Sequence, residues 1–101
     1  MELMSEMNLP PASLDFLILS LRMQAEMNLG LMPSPNPDDK PDIRLARHFI
    51  DLLAVLQDKT KGNLTMDEQR LLENTVTELR FRYVQAFESE NQKAGEAPSN
   101  G

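Results

Sequence analysis

The chain has 101 residues, no cysteine and a formal net charge of -6. That length holds one small domain, which buries a smaller share of its apolar surface than a larger one does, so stability must come from few side chains. Without cysteine neither a disulfide nor a thiolate metal site supplements the core, and a reducing cytoplasm is the expected setting; the acidic balance lacks the clustered cations that hold nucleic acid or an anionic membrane.

The first residues, MELMSEMNLPPAS, carry Glu2 and Glu6 where an export signal has basic residues, and Pro10 and Pro11 arrive before any apolar stretch develops. Residues 1–12 are expected to be a flexible arm. The densest apolar run, FLILSL at Phe16–Leu21, falls far short of the ~20 residues that cross a bilayer. A soluble cytoplasmic protein is the expectation.

The first helix begins at Ser13, a good N-cap, with Asp15 in the first turn where the helix dipole favours an acid, and it runs to Leu29. Gly30 is the expected C′ residue, because it takes the left-handed conformation without a Cβ penalty. LMPSPNPDDKP, Leu31–Pro41, follows with four prolines and is read as a stiff spacer. Its prolines do not have the spacing of a PxxP ligand core. A second helix begins around Asp39 to Asp42, with Pro41 in its first turn, and continues through IRLARHFIDLLAVLQDKTK. Lys59 and Lys61 complement its terminal carbonyls and Gly62 is expected at C′.

Thr65 then caps the third helix, and Glu68 three residues on completes a capping box. KTKGNLTMDE, Lys59–Glu68, contains a Lys-Gly pair and an Asn-x-Thr triplet, yet every residue in it has a role in ending one helix and starting the next. A phosphate loop needs further glycines, a preceding strand and a Gly-Lys-Ser/Thr ending. The triplet Asn63-Leu64-Thr65 has no export signal to bring it to a glycosylation compartment. Helix three is expected from Met66 to about Phe87, and residues 88–101, which lack apolar periodicity, to be a disordered polar tail. The reading is an all-α, three-helix up-down domain over residues 13–87.

At about 100° per residue the helix faces separate. In the third helix Leu72, Val76, Leu79, Tyr83 and Ala86 form a narrow seam continued by Phe87, whereas Phe81 and Val84 lie away from it among Arg70, Asn74, Thr77, Gln85 and Glu88. The second helix has a broad apolar arc of Leu45, Leu52, Leu56, Phe49, Leu53, Ala46, Ile50, Ile43 and Ala54, opposite Arg44, Arg47, His48, Asp51 and Asp58. The first is apolar nearly all round: Leu14, Leu17, Ile18, Leu21 and Ala25 line one side, and Phe16, Leu19, Met23 and Met27 another. A helix of that kind is normally buried all round, which three short helices cannot achieve for it. The expectation is a homo-oligomer, a dimer or higher, joined through Phe16, Leu19, Met23, Met27, Leu45 and Leu52, because exposed apolar patches of several hundred Å² are unusual on soluble monomers. In the alternative the proline segment and the N-terminal arm fold over the first helix within one chain.

Residues fit for chemistry are few. His48 has Asp51 and Arg44 one turn away on a polar face, with no cysteine and no serine placed to act as nucleophile, so it is read as a solvated surface histidine. Asp38, Asp39 and Asp42 lack the alternating spacing and glycine of a calcium loop. Arg80 and Arg82 point to opposite sides of their helix and form no single patch for a phosphate, and pairing with Glu78 or with a partner subunit is the expected use. Seven methionines suit either an adaptable surface or gap-filling in a self-association core. No catalytic residue, metal site or cofactor is expected.

Between Phe16 and Val84 the chain resembles the bacterial family known as domain of unknown function number 1844. The likeness rests on LSL at Leu19–Leu21, LGLMPSP at Leu29–Pro35, LARHFIDLLAVL at Leu45–Leu56, KTKGNLTMDE, and LRFRYV at Leu79–Val84. The resemblance implies a small, helical, cytoplasmic bacterial protein and brings no activity, cofactor or catalytic residue with it. The expected function is a non-enzymatic, self-associating module that binds another protein, with Phe81 and Val84 as contacts. The second reading is a binder of an apolar small molecule or lipid in a cavity between the first two helices, lined by Phe16, Met23, Met27 and Phe49.

Overall fold

In a computed structural model, which describes residues 9–36 and 38–99 and side chains as far as Gln92, the chain forms α1 (Leu14–Asn28), α2 (Ile43–Lys59) and α3 (Met66–Ser99). Each helix packs against both others, and no strand occurs among the described residues. Of the expected flexible arm, residues 1–8 lie outside the described set; Leu9–Ser13 are non-helical and exposed.

Local capping sets the helix ends. Ser13 Oγ accepts from Phe16 N–H at 3.1 Å. Gly30 adopts φ 78°, and its N–H reaches Met27 O at 3.2 Å while Leu31 N–H reaches Glu26 O at 2.9 Å. These are the paired bonds of a Schellman motif, which satisfy carbonyls the helix itself leaves open. The capping box closes in both directions: Thr65 N–H to Glu68 Oε1 at 2.9 Å and Glu68 N–H to Thr65 Oγ1 at 3.1 Å.

Both boundaries of α2 differ from the expected register. Asp42 is the N-cap of α2, accepting from Arg44 and Leu45 N–H at 3.0 and 3.4 Å, so Pro41 precedes the helix. The aspartate wins because it offers the free N–H groups an acceptor. Asn28 Oδ1 also holds Asp42 N–H at 3.3 Å, tying the last turn of α1 to the start of α2. At the other end Thr60 is the C-cap, so Gly62 lies one residue past C′, at φ 87° in a turn closed by Asn63 N–H to Thr60 O at 2.9 Å. Thr60 ends the helix itself, its hydroxyl donating to Leu56 O at 2.7 Å.

One core joins the three helices. Ile18 and Ala25 of α1, Ile50 and Leu53 of α2, and Leu72, Val76 and Leu79 of α3 are buried together, ringed by partly buried Leu14, Leu21, Leu29, Phe49, Leu56, Leu64, Leu71 and Tyr83. Thr75, which the apolar pattern passes over, is buried among them with its Oγ1 unpaired.

α3 runs on where a disordered tail is expected after Phe87. Its backbone is helical to Ser99, with Glu88–Gln92 exposed; Asn100 and Gly101 lie outside the described residues. ESENQ has no glycine, proline or β-branched residue to stop a helix already propagating, so the turns continue through Gln92 without a core to pack on; the helical backbone beyond it takes in Gly95 and Pro98, which local propensity does not explain. The result is elongated: the radius of gyration is 16.8 Å, against ~13 Å for a compact domain of this length. The thinnest dimension is only 16 Å, about two helix layers. No helix is enclosed on every side.

Candidate functional site

α1 carries two apolar faces of different fate. Ile18 and Ala25 are fully buried, while Phe16, Leu19 and Met23 on the opposite side are exposed. The proline segment does not fold over those three residues. It covers only the end of the stripe, where Met27 is half-buried. Leu17 departs from the expected arc: it is exposed because it lies about 100° round from Ile18, at the rim of the buried sector.

On α2 the buried centre is Ala46, Ile50 and Leu53, with Phe49 and Leu56 half-buried and Leu45 and Leu52 exposed at the edge. Val55, exposed within the charged arc between Arg44 and His48, is missed by both sequence assignments. Leu31, in the spacer, and Met66, the first residue of α3, are also exposed. On α3, Phe81 is 59% exposed and Val84 is likewise exposed, one turn apart on the side away from the core. Beyond the core, Tyr83 and Phe87 stack with ring centroids 6.0 Å apart.

A groove of about 660 Å³ opens where α1 ends and α2 begins. Met27, Leu31, Met32, Pro33, Pro41 and Leu45 supply its apolar wall, and Gln24, Asn28, Ser34, Asp39, Lys40 and Asp42 its polar margin. Met27 and Leu45, assigned from sequence to one association face, thus meet in one concavity. Of the four residues expected to line a ligand cavity between the first two helices, only Met27 reaches this groove: Phe16 and Met23 are exposed elsewhere on α1, and Phe49 packs partly buried on the core. The broad arc of α2 sends its aromatic inward, so that lining is not assembled. A second concavity of about 370 Å³ at the α2–α3 corner has a mixed-charge wall that includes Asp58, Lys61, Glu73 and Arg80.

Among the described residues five charged side chains form surface pairs. Arg22 bridges Glu26 at 3.3 Å within α1 and Glu78 of α3 at 3.5 Å; Glu78 was expected to serve the arginines of its own helix. Asp51 pairs loosely with Arg47 at 3.9 Å and not with His48, whose ring meets Phe49 edge-on at 5.8 Å. In the spacer, Asn36 Oδ1 accepts from Asp38 N–H at 3.1 Å and Ser34 Oγ donates to Asp39 at 3.1 Å, which fastens the turn. Among the described residues no cluster of His, Asp and Glu is placed to hold a metal ion, and no helix is long and apolar enough to cross a membrane.

The fold and surfaces define a small all-helical domain whose distinguishing feature, among the described residues, is exposed apolar surface. Its family model is Domain of unknown function (DUF1844), which matches residues 11–85, and the chain belongs to that family. The match takes in α1, α2 and the packed part of α3. No curated protein and no solved structure matches the chain.

Proposed function

We propose that this protein is a non-enzymatic helical module, an up-down three-helix domain that self-associates through the outer face of α1 and the neighbouring edge of α2, and then binds another protein. One observation carries the proposal: Phe16, Leu19 and Met23 form a solvent-facing apolar stripe about 100–160° round α1 from the buried Ile18. Such a stripe costs free energy in water and has no role in holding the monomer together.

Its size fits. Phe16, Leu19, Met23, Leu45 and Leu52 are each between 38 and 49% exposed. At on the order of 200 Å² per side chain these five offer ~400 Å² of apolar surface, close to the apolar share of the ~800 Å² that each partner gives a standard interface. A second copy presents the same stripe and so satisfies it by two-fold symmetry. Phe81 and Val84, on α3, then remain outside that interface as contacts for a different protein.

Sedimentation equilibrium at low micromolar concentration tests the association. A dimer or larger species is expected, and a compact monomer would remove the proposal.

A further inference from the structure

The groove between α1 and α2 shares Met27 and Leu45 with the association face, yet it lies at the C-terminal end of α1, beyond the stripe. Its apolar wall is open. At the other end of α1, Leu9 is 48% exposed and is followed by Pro10, Pro11, Ala12 and the Ser13 cap. We propose that the groove receives the Leu9-Pro10-Pro11 arm of a second copy, in an antiparallel dimer whose arms are exchanged. This rests on the self-association proposed above.

The order of side chains along α1 favours the antiparallel arrangement. Phe16 and Leu19 occupy the N-terminal half of the stripe, Met23 and Met27 the C-terminal half. Antiparallel pairing sets Phe16 against Met27 of the other copy and Leu19 against Met23. That brings an aromatic ring to a thioether, a favourable contact, and opposes the helix dipoles. Parallel pairing would leave ring against ring and methionine against methionine. The same arrangement carries the first turn of each α1 over the last turn of the other, so the residues preceding Ser13 emerge beside the groove.

Chain length decides between the copies. Four residues from Ser13 back to Leu9 reach at most ~14 Å. α1 has 15 residues and is therefore ~22 Å long, and the groove lies at its far end. Leu9 cannot enter the groove of its own chain. Two consecutive prolines also pre-set the arm in an extended, low-entropy conformation, which lowers the ordering cost of docking. The peptide fits by chemistry: an isobutyl side chain and two pyrrolidine rings against Met27, Leu31, Met32, Pro33 and Pro41.

The cysteine-free sequence makes the test direct. Full-length Leu9→Cys and Met32→Cys variants are prepared separately, mixed, and treated with a short bifunctional maleimide; Leu9→Cys mixed with Met66→Cys serves as the collision control. A cross-linked heterodimer forming well above that control is expected. Leu9→Asp is expected to weaken dimerisation about a hundredfold in sedimentation, roughly tenfold for each of the two exchanged arms. A dimer in sedimentation that gives no cross-link above control, or that is indifferent to Leu9→Asp, overturns the arm exchange and leaves the association standing. A monomer overturns both.

Discussion

Ile18 and Phe16 stand two residues apart on α1 and about 160° apart around it; the first has no exposed surface and the second is 42% exposed. Both are large and apolar, so the helix has one face for its own domain and one for something else. The two substitutions are expected to separate cleanly. Ile18→Ala leaves a cavity in the shared core and is expected to cost about 2–5 kcal/mol in urea unfolding. Phe16→Asp is expected to retain full helicity by circular dichroism while sedimenting as a monomer. Loss of helicity in Phe16→Asp would place that ring in the folding core instead.

Thr75 supplies a second test, because its hydroxyl is buried without a partner in the middle of an apolar cluster. A buried unpaired polar group costs about 1–3 kcal/mol. Thr75→Val keeps the shape and removes the group, so the urea midpoint is expected to rise by the equivalent of about 1 kcal/mol. A lower midpoint would mean that the hydroxyl finds a partner in solution.

The corner between α2 and α3 is held by the reciprocal bonds of Thr65 and Glu68. Thr65→Ala is expected to destabilise by about 1 kcal/mol. Because each side chain serves the other's backbone at the same turn, Glu68→Ala added to it is expected to cost less than the two single changes together. Strict additivity in a double-mutant cycle would show that the box is not acting as a unit.

Gly30 closes α1 at φ 78°, and a Cβ there would meet only Pro41 Cγ at 3.9 Å. Space is available, so the penalty of Gly30→Ala is conformational. It is expected to be about 1–2 kcal/mol, the cost of the left-handed region to an L-residue, read as a fall in the thermal midpoint. Gly30→Asn, which tolerates that region better, is expected to recover part of the loss.

Phe81 is the most exposed aromatic side chain of α3. Phe81→Ser is expected to change unfolding free energy by no more than about 0.5 kcal/mol, as surface substitutions do, and to leave the oligomer intact in sedimentation. Its effect is expected only on capture of another protein, compared with the unaltered chain.

The helix count, both ends of α1 and the start of α3 are local matters and can be read from the residues in order. Ser13, Gly30, Thr65 and Glu68 act through hydrogen bonds that span only a few residues, so their roles are visible before any packing is known. The seam of Leu72, Val76 and Leu79 was legible for a similar reason, since one narrow stripe leaves a helix little choice of inward face. Tertiary structure alone decided the rest. Which sector of α1 turns inward, why Leu17 falls outside it, and why Thr75 is enclosed depend on where α2 and α3 cross that helix, which no local pattern encodes. The groove is of the same kind: Met27 and Leu45 are separated by the proline spacer along the chain and become neighbours only when Asn28 and Asp42 join the two helix ends.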